Sequence, residues 1–416
     1  LLLPSLVLLI PVILSLVGNL LYLNRLRQVA NTAPRFETAP TTPVLIAGEP
    51  AEPPPATPTI AVIIPAYNEV RNIQDCVEAV FASLEGTCSA TCCPPMVAQV
   101  WVVDDQSTDD TLEVITALQQ AHLDRPLHIL KGQPRPSGEA WVGKNWACVQ
   151  AVEEAQGEFL LFLDADVRLQ PGAIATALDL IQRKSLDLLT LCPAVQCGCW
   201  AEWLIQPVVM VMSAVGLDFN EVNDPHTETV FAVGQFMLFR RSTYAAIGGH
   251  RAVAGEVVED VALARRIKQQ GFRLQYMPGA EVASVQMYPT FAAIWEGWTK
   301  NWYLGFGRQL MPTLQAAALV FAIGTLPWIG IIAIALKTAV IGLNWVDYLT
   351  LGLALATILL HYRLRQQVER VSGIPPRYWW LTVVGSVLVV AIALASIVKT
   401  ETGWGWTWRG RSLKSQ

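Results

Sequence analysis

Residues 59–69 read TIAVIIPAYNE, a short unbroken apolar run that stops at turn-forming polar residues. A run of this length and composition predicts a strand buried on both faces. Downstream, a helical spacing follows through Ile73, Val77, Val80 and Phe81. The same unit then recurs. Residues 99–110, QVWVVDDQSTDD, predict a second buried strand ending in acids, and 111–122, TLEVITALQQAH, a helix. PLHILKG (126–132) predicts a third strand, and WACVQAVEEAQG (146–157) a helix ending at a glycine cap. EFLLFLDAD (158–166) predicts a fourth strand, again closed by acids. Strands alternating with helices imply an α/β, Rossmann-like domain with a mostly parallel sheet covered on both faces. Ligands of such sheets bind beyond the carboxyl ends of the strands, where Asp104, Asp105, Asp164 and Asp166 fall.

Outward from this core the texture changes. Residues 24–58 are rich in Pro, Thr and Ala and read as a semi-extended linker. Residues 1–23 carry no charge and are long enough to cross a bilayer. They lack a basic leading region and a small-residue cleavage site, so a retained anchor is expected rather than a cleaved signal. The sequence opens on Leu, so a start upstream of Leu1 is expected. Arg25 and Arg27 follow the span and place the next segment in the cytoplasm. Residues 306–400 turn apolar again, with candidate spans at 313–336, 346–361 and 378–398, and a tail at 401–416. Arg363, Arg365, Arg370 and Arg377 should be cytoplasmic, yet three simple crossings would put the basic tail (Lys399, Arg409, Arg411, Lys414) outside. Either one segment is re-entrant or interfacial, or the charge rule fails. Residues 199–217 form a further apolar stretch, read as an interfacial helix, with plain core or a membrane span as the alternatives.

Composition agrees: 53% of residues are hydrophobic and 15% charged, which suits a soluble domain joined to membrane segments. Net charge is −5 without a Lys/Arg run, which excludes nucleic acid as a partner. Cys88, Cys92, Cys93 and Cys192, Cys197, Cys199 lack paired zinc-ligand spacing and are expected as ordinary thiols.

Several residues could carry chemistry. Asp164 and Asp166, one residue apart at a strand end, could hold a divalent cation that neutralises a departing diphosphate; solvated acids are the plainer alternative. Asp104 and Asp105 could accept from a base or ribose, with Ser107–Asp110 capping the next helix. Tyr67, beyond Pro65 and before Glu69, could lie against a base or fill a turn. Glu259 and Asp260 open a predicted helix, where the dipole stabilises a carboxylate and where one could serve as general base. Gly248-Gly249-His250 offers a lid or only a turn. Residues 138–145, GEAWVGKN, fall one residue short of the NTPase phosphate loop: Asn145 stands where a Ser or Thr hydroxyl would bind magnesium. Lys144 could still touch phosphate.

Taken together, PAYNE, VVDDQSTDD, DAD, VGQFMLFRRSTYAAIGG and VVEDVALARRIKQQGFR resemble the family 2 glycosyltransferases, which have the GT-A fold. The resemblance covers about residues 59–305. The flanking membrane segments, with PSGEAWVGKNWA, WEGWTKNW and TWRGR, resemble the hopene-associated and the carotenoid glycosyltransferases, the myxol type (2′-O-glycosyltransferases) among them. The resemblance implies that Tyr67, Glu69 and Asp105 contact the nucleoside, with Pro65 and Asp104 close by. Lys144 would help hold the nucleotide, and Asp164 and Asp166 would bind its diphosphate through Mg²⁺ or Mn²⁺. Asp260 would be the catalytic base, supported by Glu259, in a metal-assisted inverting transfer. The donor would be a nucleotide sugar and the acceptor a hydroxyl on a carotenoid, hopanoid or other lipid in the membrane. Processive synthases and ceramide glucosyltransferases carry Q-x-x-R-W after the base; here Trp295–Trp302 has no Gln or Arg at those places. Trp298, Lys300 and Trp302 stand in for product-side contacts or form an interfacial aromatic belt. A ceramide- or diacylglycerol-type glucosyltransferase, a phosphate-loop ATPase and a non-catalytic membrane scaffold are the competing functions.

Overall fold

The structure, a computed structural model, describes residues 2–36, 57–85 and 96–412. Most of the Pro-rich linker, the last residues of the tail and Cys88, Cys92 and Cys93 lie outside the described residues. The chain divides into two compact units: a helical one (1–33, 195–218, 286–414) and an α/β one (34–194, 219–285). Helix α1 (Leu2–Thr32) opens the helical unit.

The α/β unit begins with β1 (Thr59–Ala66), α2 (Ile73–Glu85), β2 (Val97–Asp104), α3 (Thr111–Ala121), β3 (Leu127–Lys131), α4 (Gly143–Glu154) and β4 (Phe159–Leu163). It continues with β5 (Val167–Leu169), α5 (Ala173–Arg183), β6 (Leu188–Cys192) and the short β7 (Ala194–Val195). After α6 (Trp200–Gly216), a helix of the other unit, come α7 (Phe219–Asn223), β8 (Phe236–Arg240), α8 (Arg241–Ala246), α9 (Glu259–Gln269), β9 (Leu274–Pro278) and β10 (Ala283–Val285). Seven strands form one sheet in the order β3-β2-β1-β4-β8-β6-β9. β1 runs parallel to β2 and β4, and β2 to β3, so the first four strands end on the same edge. This is the expected mostly parallel α/β sheet. β8 enters antiparallel between β4 and β6, pairing Leu163 with Phe236. Its start therefore lies beside the end of β4. Every residue of β4 is at most 2% exposed. Burial of each such side chain contributes roughly 1.5–3 kcal/mol, which anchors the edge from which the acids project.

Two local expectations are corrected. The helix read to end at a glycine cap stops at Glu154 with Ala155 as its extended C-cap. Gly157 (φ +143°) is needed one step later, where a Cβ would sit 3.2 Å from the backbone of Thr59, Ile60 and Ala61. Ser107 and Thr108 do not cap α3. They bond Asn68, which adopts a left-handed turn (φ 54°), and so lace the ends of β1 and β2 together.

The helical unit adds α10 (Phe291–Gly305), α11 (Leu310–Thr338), α12 (Trp345–Ser372), α13 (Thr382–Thr402) and a closing hairpin of β11 (Thr407–Trp408) and β12 (Arg411–Ser412). Residues 286–305 thus pack with the helices. Among the described residues, four segments are long and apolar enough to cross a membrane: α1, α11, α12 and Trp379–Thr402. The third is longer than the apolar run 346–361 because Arg365, Gln367 and Ser372 continue its buried face.

Side-chain pairs fix the sense of these helices. Lys337 late in α11 meets Asp347 early in α12 at 2.5 Å, so the two run antiparallel. Arg308 before α11 meets Glu401 at the end of α13 at 3.2 Å, and Gly324 packs against Ser386, so α13 is also antiparallel to α11. α12 and α13 therefore run in the same sense. α13 starts level with the middle of α11 and ends level with its beginning. There Glu296 of α10 accepts from Thr407 Oγ1 (2.6 Å) and the Arg409 amide (3.1 Å), and Lys300 lies 4.2 Å from the Trp408 ring centre. Lys399 and Arg409 come back to the same end as Arg370.

A proline determines how α1 joins. Pro327 has no N–H, so the Ile323 carbonyl loses its helical partner. It accepts instead from Ser15 Oγ (3.1 Å), Asn19 Nδ2 (3.1 Å) and His361 Nε2 (3.2 Å). An apolar environment offers no water to do this, so the three side chains satisfy it.

Candidate active site

The parallel register brings the strand ends together. Ala66 pairs with Asp104, and the Asp105 amide donates to the Ala66 carbonyl at 2.8 Å. Glu69, 8% exposed, accepts from Asn72 Nδ2 (2.9 Å), and its amide donates to Thr111 Oγ1 (2.8 Å). Asp104 Oδ1 accepts from the Ser107 amide at 3.3 Å, and its carbonyl from the Gly132 amide at 2.8 Å. A Cβ on Gly132 would come 2.8 Å from that carbonyl, so glycine is required at this approach. Pro65 is the last residue but one of β1, and Tyr67 follows the strand's end at Ala66.

Two buried thiols report that the acids share one region. Cys76 lies within electrostatic reach of Glu69, Asp164 and Asp166, and Cys148 of Asp105, Asp164 and Glu259. Burial first, then these acids, push both thiols up, so both stay neutral.

The centre of the arrangement is Lys144, at the first turn of α4. Its Nζ lies 2.7 Å from Asp164 Oδ1 and 2.6 Å from Glu259 Oε1, and donates to the Gly234 carbonyl at 3.4 Å. Burial works against the ammonium, but the charges of Asp164 and Glu259 outweigh it and hold its pKa well above the ordinary lysine value. Burial likewise opposes the Glu259 charge, and Lys144 outweighs it, so Glu259 is held below the usual carboxylate range. Asp260 differs. Burial, and then the neighbouring Glu259 charge, raise it to about 6 against the opposing pull of Lys144 and the amides of Val261 and Gly234. Those amides donate to Asp260 at 2.8 Å each. Two adjacent carboxylates thus have opposite tendencies: one locked as a charge, one poised to exchange a proton.

The sequence reading missed three positions. Gly234 sits inside the quoted VGQF motif, but its role comes from β8 delivering it beside β4. A Cβ there would lie 3.0 Å from both Lys144 Nζ and Glu259 Oε1. Asn145, read as a defective phosphate-loop residue, is a clamp: its Nδ2 donates to the carbonyls of Val253, Ala254 and Glu256 at 2.8–3.1 Å. That holds the loop leading into Glu259. His250 is 1% exposed, bonded through Nδ1 to Tyr244 OH at 2.8 Å, and lies against Phe162. Burial holds it neutral, with a pKa near 3. Gly248 and Gly249 (φ 82° and 52°) make a tight packed turn there, the second pressing on the Tyr244 ring, which is the turn reading rather than the lid.

Trp298, Lys300 and Trp302 belong to α10 in the helical unit. Trp298 Nε1 donates to Gln206 at 2.8 Å, Trp302 is 6% exposed, and Lys300 covers Trp408. Cys192, Cys197 and Cys199 are free thiols.

No group of three or more His, Cys, Asp or Glu converges as a metal cage among the described residues. Asp164 and Asp166 still fit a cation shared with a diphosphate. They are hard oxygen donors, and Asp164 is 30% exposed, open to a ligand that completes the shell.

Comparison with known proteins follows this geometry. Residues 61–248 match the family model "Glycosyl transferase family 2", and residues 159–400 match "Glycosyl transferase family group 2". The 4,4'-diaponeurosporenoate glycosyltransferase of Staphylococcus aureus (strain USA300) is 25% identical over 311 residues, 74% of this chain and 77% of that protein. Among solved structures, the mannosyltransferase PcManGT from Pyrobaculum calidifontis, in complex with GDP-Man and Mn²⁺, superposes with a TM-score of 0.52 at 18% identity, covering 95% of this chain and 98% of that one. That likeness shows a shared fold over nearly the whole of both chains.

Proposed function

Since the chain belongs to the family 2 glycosyltransferases, we propose that it moves one sugar from a nucleoside-diphosphate sugar to a hydroxyl of an apolar acceptor in the membrane, a carotenoid first. The observation that carries this reading is the Lys144 ammonium set between Asp164 and Glu259, with the raised Asp260 next in the chain. The relative named for a carotenoid acid, 4,4'-diaponeurosporenoate, supports the acceptor class.

In this mechanism Asp260 accepts the proton of the acceptor hydroxyl, whose oxygen forms a bond to the anomeric carbon. The bond from that carbon to the diphosphate oxygen breaks, and its electron pair leaves with the nucleoside diphosphate. Attack from the face opposite the leaving group inverts the centre. The amides of Val261 and Gly234 orient the Asp260 carboxylate. Lys144 contributes positive charge beside Asp164, where the departing diphosphate gains negative charge. Glu259 keeps that ammonium in place. Asp104, Asp105, Glu69 and Tyr67 receive the nucleoside. Mg²⁺ or Mn²⁺ held by Asp164 and Asp166 would supply further charge neutralisation, and Mn²⁺ accompanies GDP-Man in the mannosyltransferase.

Arg25 and Arg27, which follow the apolar part of α1, support a cytoplasmic position for the segment that comes next. The test is transfer of label from nucleotide sugars into lipid extracts by membranes containing the protein. Asp260→Asn and Asp166→Asn should each abolish it; wild-type rates in both would remove the mechanism. Label in ceramide or diacylglycerol rather than carotenoid would move the acceptor to the glycolipid class.

A further inference from the structure

Two polar side chains of α12 have no part in the sugar-transfer reading. His361 and Arg365 lie one turn apart, at 1% and 3% exposure. Both line a slot inside the helical unit, with Tyr22 of α1, Met212 of α6, Val320 of α11 and Ser386 of α13 among its walls. The slot is narrow, with a cavity volume of ≈ 40 Å³, and it has an open mouth, so it takes the head of a ligand whose remainder leaves through that mouth.

Arg365 is a permanent cation here. Among the described residues it makes no ion pair; its Nη2 reaches only Thr382 Oγ1, at 3.5 Å, and its Nη1 has no hydrogen-bond partner. The Cys197 thiol is near enough to act on it, but burial pushes that thiol up to about 12, so it supplies no counter-charge. His361 spends Nε2 on the Ile323 carbonyl, and its Nδ1 has no partner. A buried cation without an anion is expensive, and in helices of this kind such a group marks a ligand or ion path. Apart from the hydroxyls of Tyr22, Thr382 and Ser386, the walls are aliphatic or thioether and carry no second charge, which suits a chain rather than a free ion.

We propose that this slot binds a chain-like lipid with an acidic end, its carboxylate or phosphate paired with Arg365 and its hydrocarbon lying among Val320, Met212 and Tyr22. The guanidinium fork matches either oxyanion in two parallel hydrogen bonds. The site lies wholly within the helical unit and stands whichever acceptor receives the sugar.

The full-length protein in an uncharged detergent should bind radiolabelled palmitate or phosphatidic acid saturably, and neutral diacylglycerol about tenfold more weakly or worse. Preference between the two acids identifies the source as carboxylate or phosphate. Arg365→Gln should reduce acid binding by about tenfold or more, with Arg365→Lys restoring part of it. Val320→Trp, which fills the slot and leaves the charge, should block it. Equal binding of acid and neutral lipid by the unaltered protein overturns the proposal, as does acid binding unchanged in both Arg365→Gln and Val320→Trp. If Arg365→Gln does not fold, the acid-against-neutral comparison and Val320→Trp still decide. Nucleotide-sugar hydrolysis in water, measured alongside, separates this outcome from failure of the transfer reading.

Discussion

Replacing Lys144 with Met should move the acid limb of the pH–rate profile upward. Asp260 is held at about 6 by burial and by Glu259, with Lys144 pulling the other way. The ammonium lies no more than about 6.4 Å from Asp260 Cβ, because a Cβ on Gly234 would meet the two at 3.0 and 3.4 Å. At that distance and an effective dielectric of about 20, one unit charge is worth roughly 2.6 kcal/mol, or nearly two pKa units. Water at the mouth of the site screens part of this, so an upward shift of about one to two units is expected. The sign follows from charge: removing a cation disfavours the carboxylate, so the base becomes active only at higher pH. The assay is kcat/KM for sugar transfer from pH 5 to pH 9, which reports the free enzyme. Glu259→Gln should move the same limb downward, since it removes the anion that raises Asp260. If the limb stays put in both variants while rates fall, Lys144 and Glu259 do not tune the base and the reasoning is wrong. A merely structural role would lower the rate without displacing the limb.

The wild-type profile itself should fall about tenfold from pH 7 to pH 5 as Asp260 takes up its proton around 6; a flat profile over that range would count against Asp260 as base. Gly234→Ala should loosen the Lys144–Glu259 contact, because its Cβ would sit 3.0 Å from both partners, and calorimetry should find weaker nucleotide-diphosphate binding than in wild type. Asn145→Leu should lower stability by about 1–3 kcal/mol in thermal or denaturant unfolding by releasing the 253–256 carbonyls. Asn145→Ser, which completes the phosphate-loop pattern on paper, should confer no ATP hydrolysis. Chelation with EDTA should stop transfer and added Mn²⁺ should restore it, with Asp166→Asn blunting the restoration; transfer that persists under EDTA would show that Lys144 alone neutralises the diphosphate.

The strands were legible in the sequence because their signal is local. A run such as Phe159–Leu163 is apolar throughout, and the acids stand where the run stops. Strand ends of a parallel sheet share an edge, so Asp104, Asp105 and Asp164 could be grouped before any contact was seen. The partner of Lys144 could not. Glu259 reaches it across a long intervening sequence, through an antiparallel strand inserted beside β4. Asn145 was noticed for the hydroxyl it lacks, while its amide serves a loop that no short motif records. Hydropathy located the long apolar helices but cut α1 and α12 short, and it did not give their sense. That is decided by contacts such as Gly324 on Ser386 and Arg308 with Glu401, which apolar composition does not encode.

The unbonded carbonyl at Ile323 imposes an order on biosynthesis. Its donors Ser15 and Asn19 belong to α1, made 308 and 304 residues before it, and its third donor, His361, is made 38 residues after it. At typical translation speeds of about 5–20 residues per second, α1 waits roughly 15–60 s with a polar amide and hydroxyl exposed on its flank. During that interval the α/β unit is synthesised and can fold. The helical assembly is complete only when α12 emerges, so a chain truncated before His361 would leave α1 held by α11 alone, with the face that packs on α12 uncovered, a recognisable substrate for quality control.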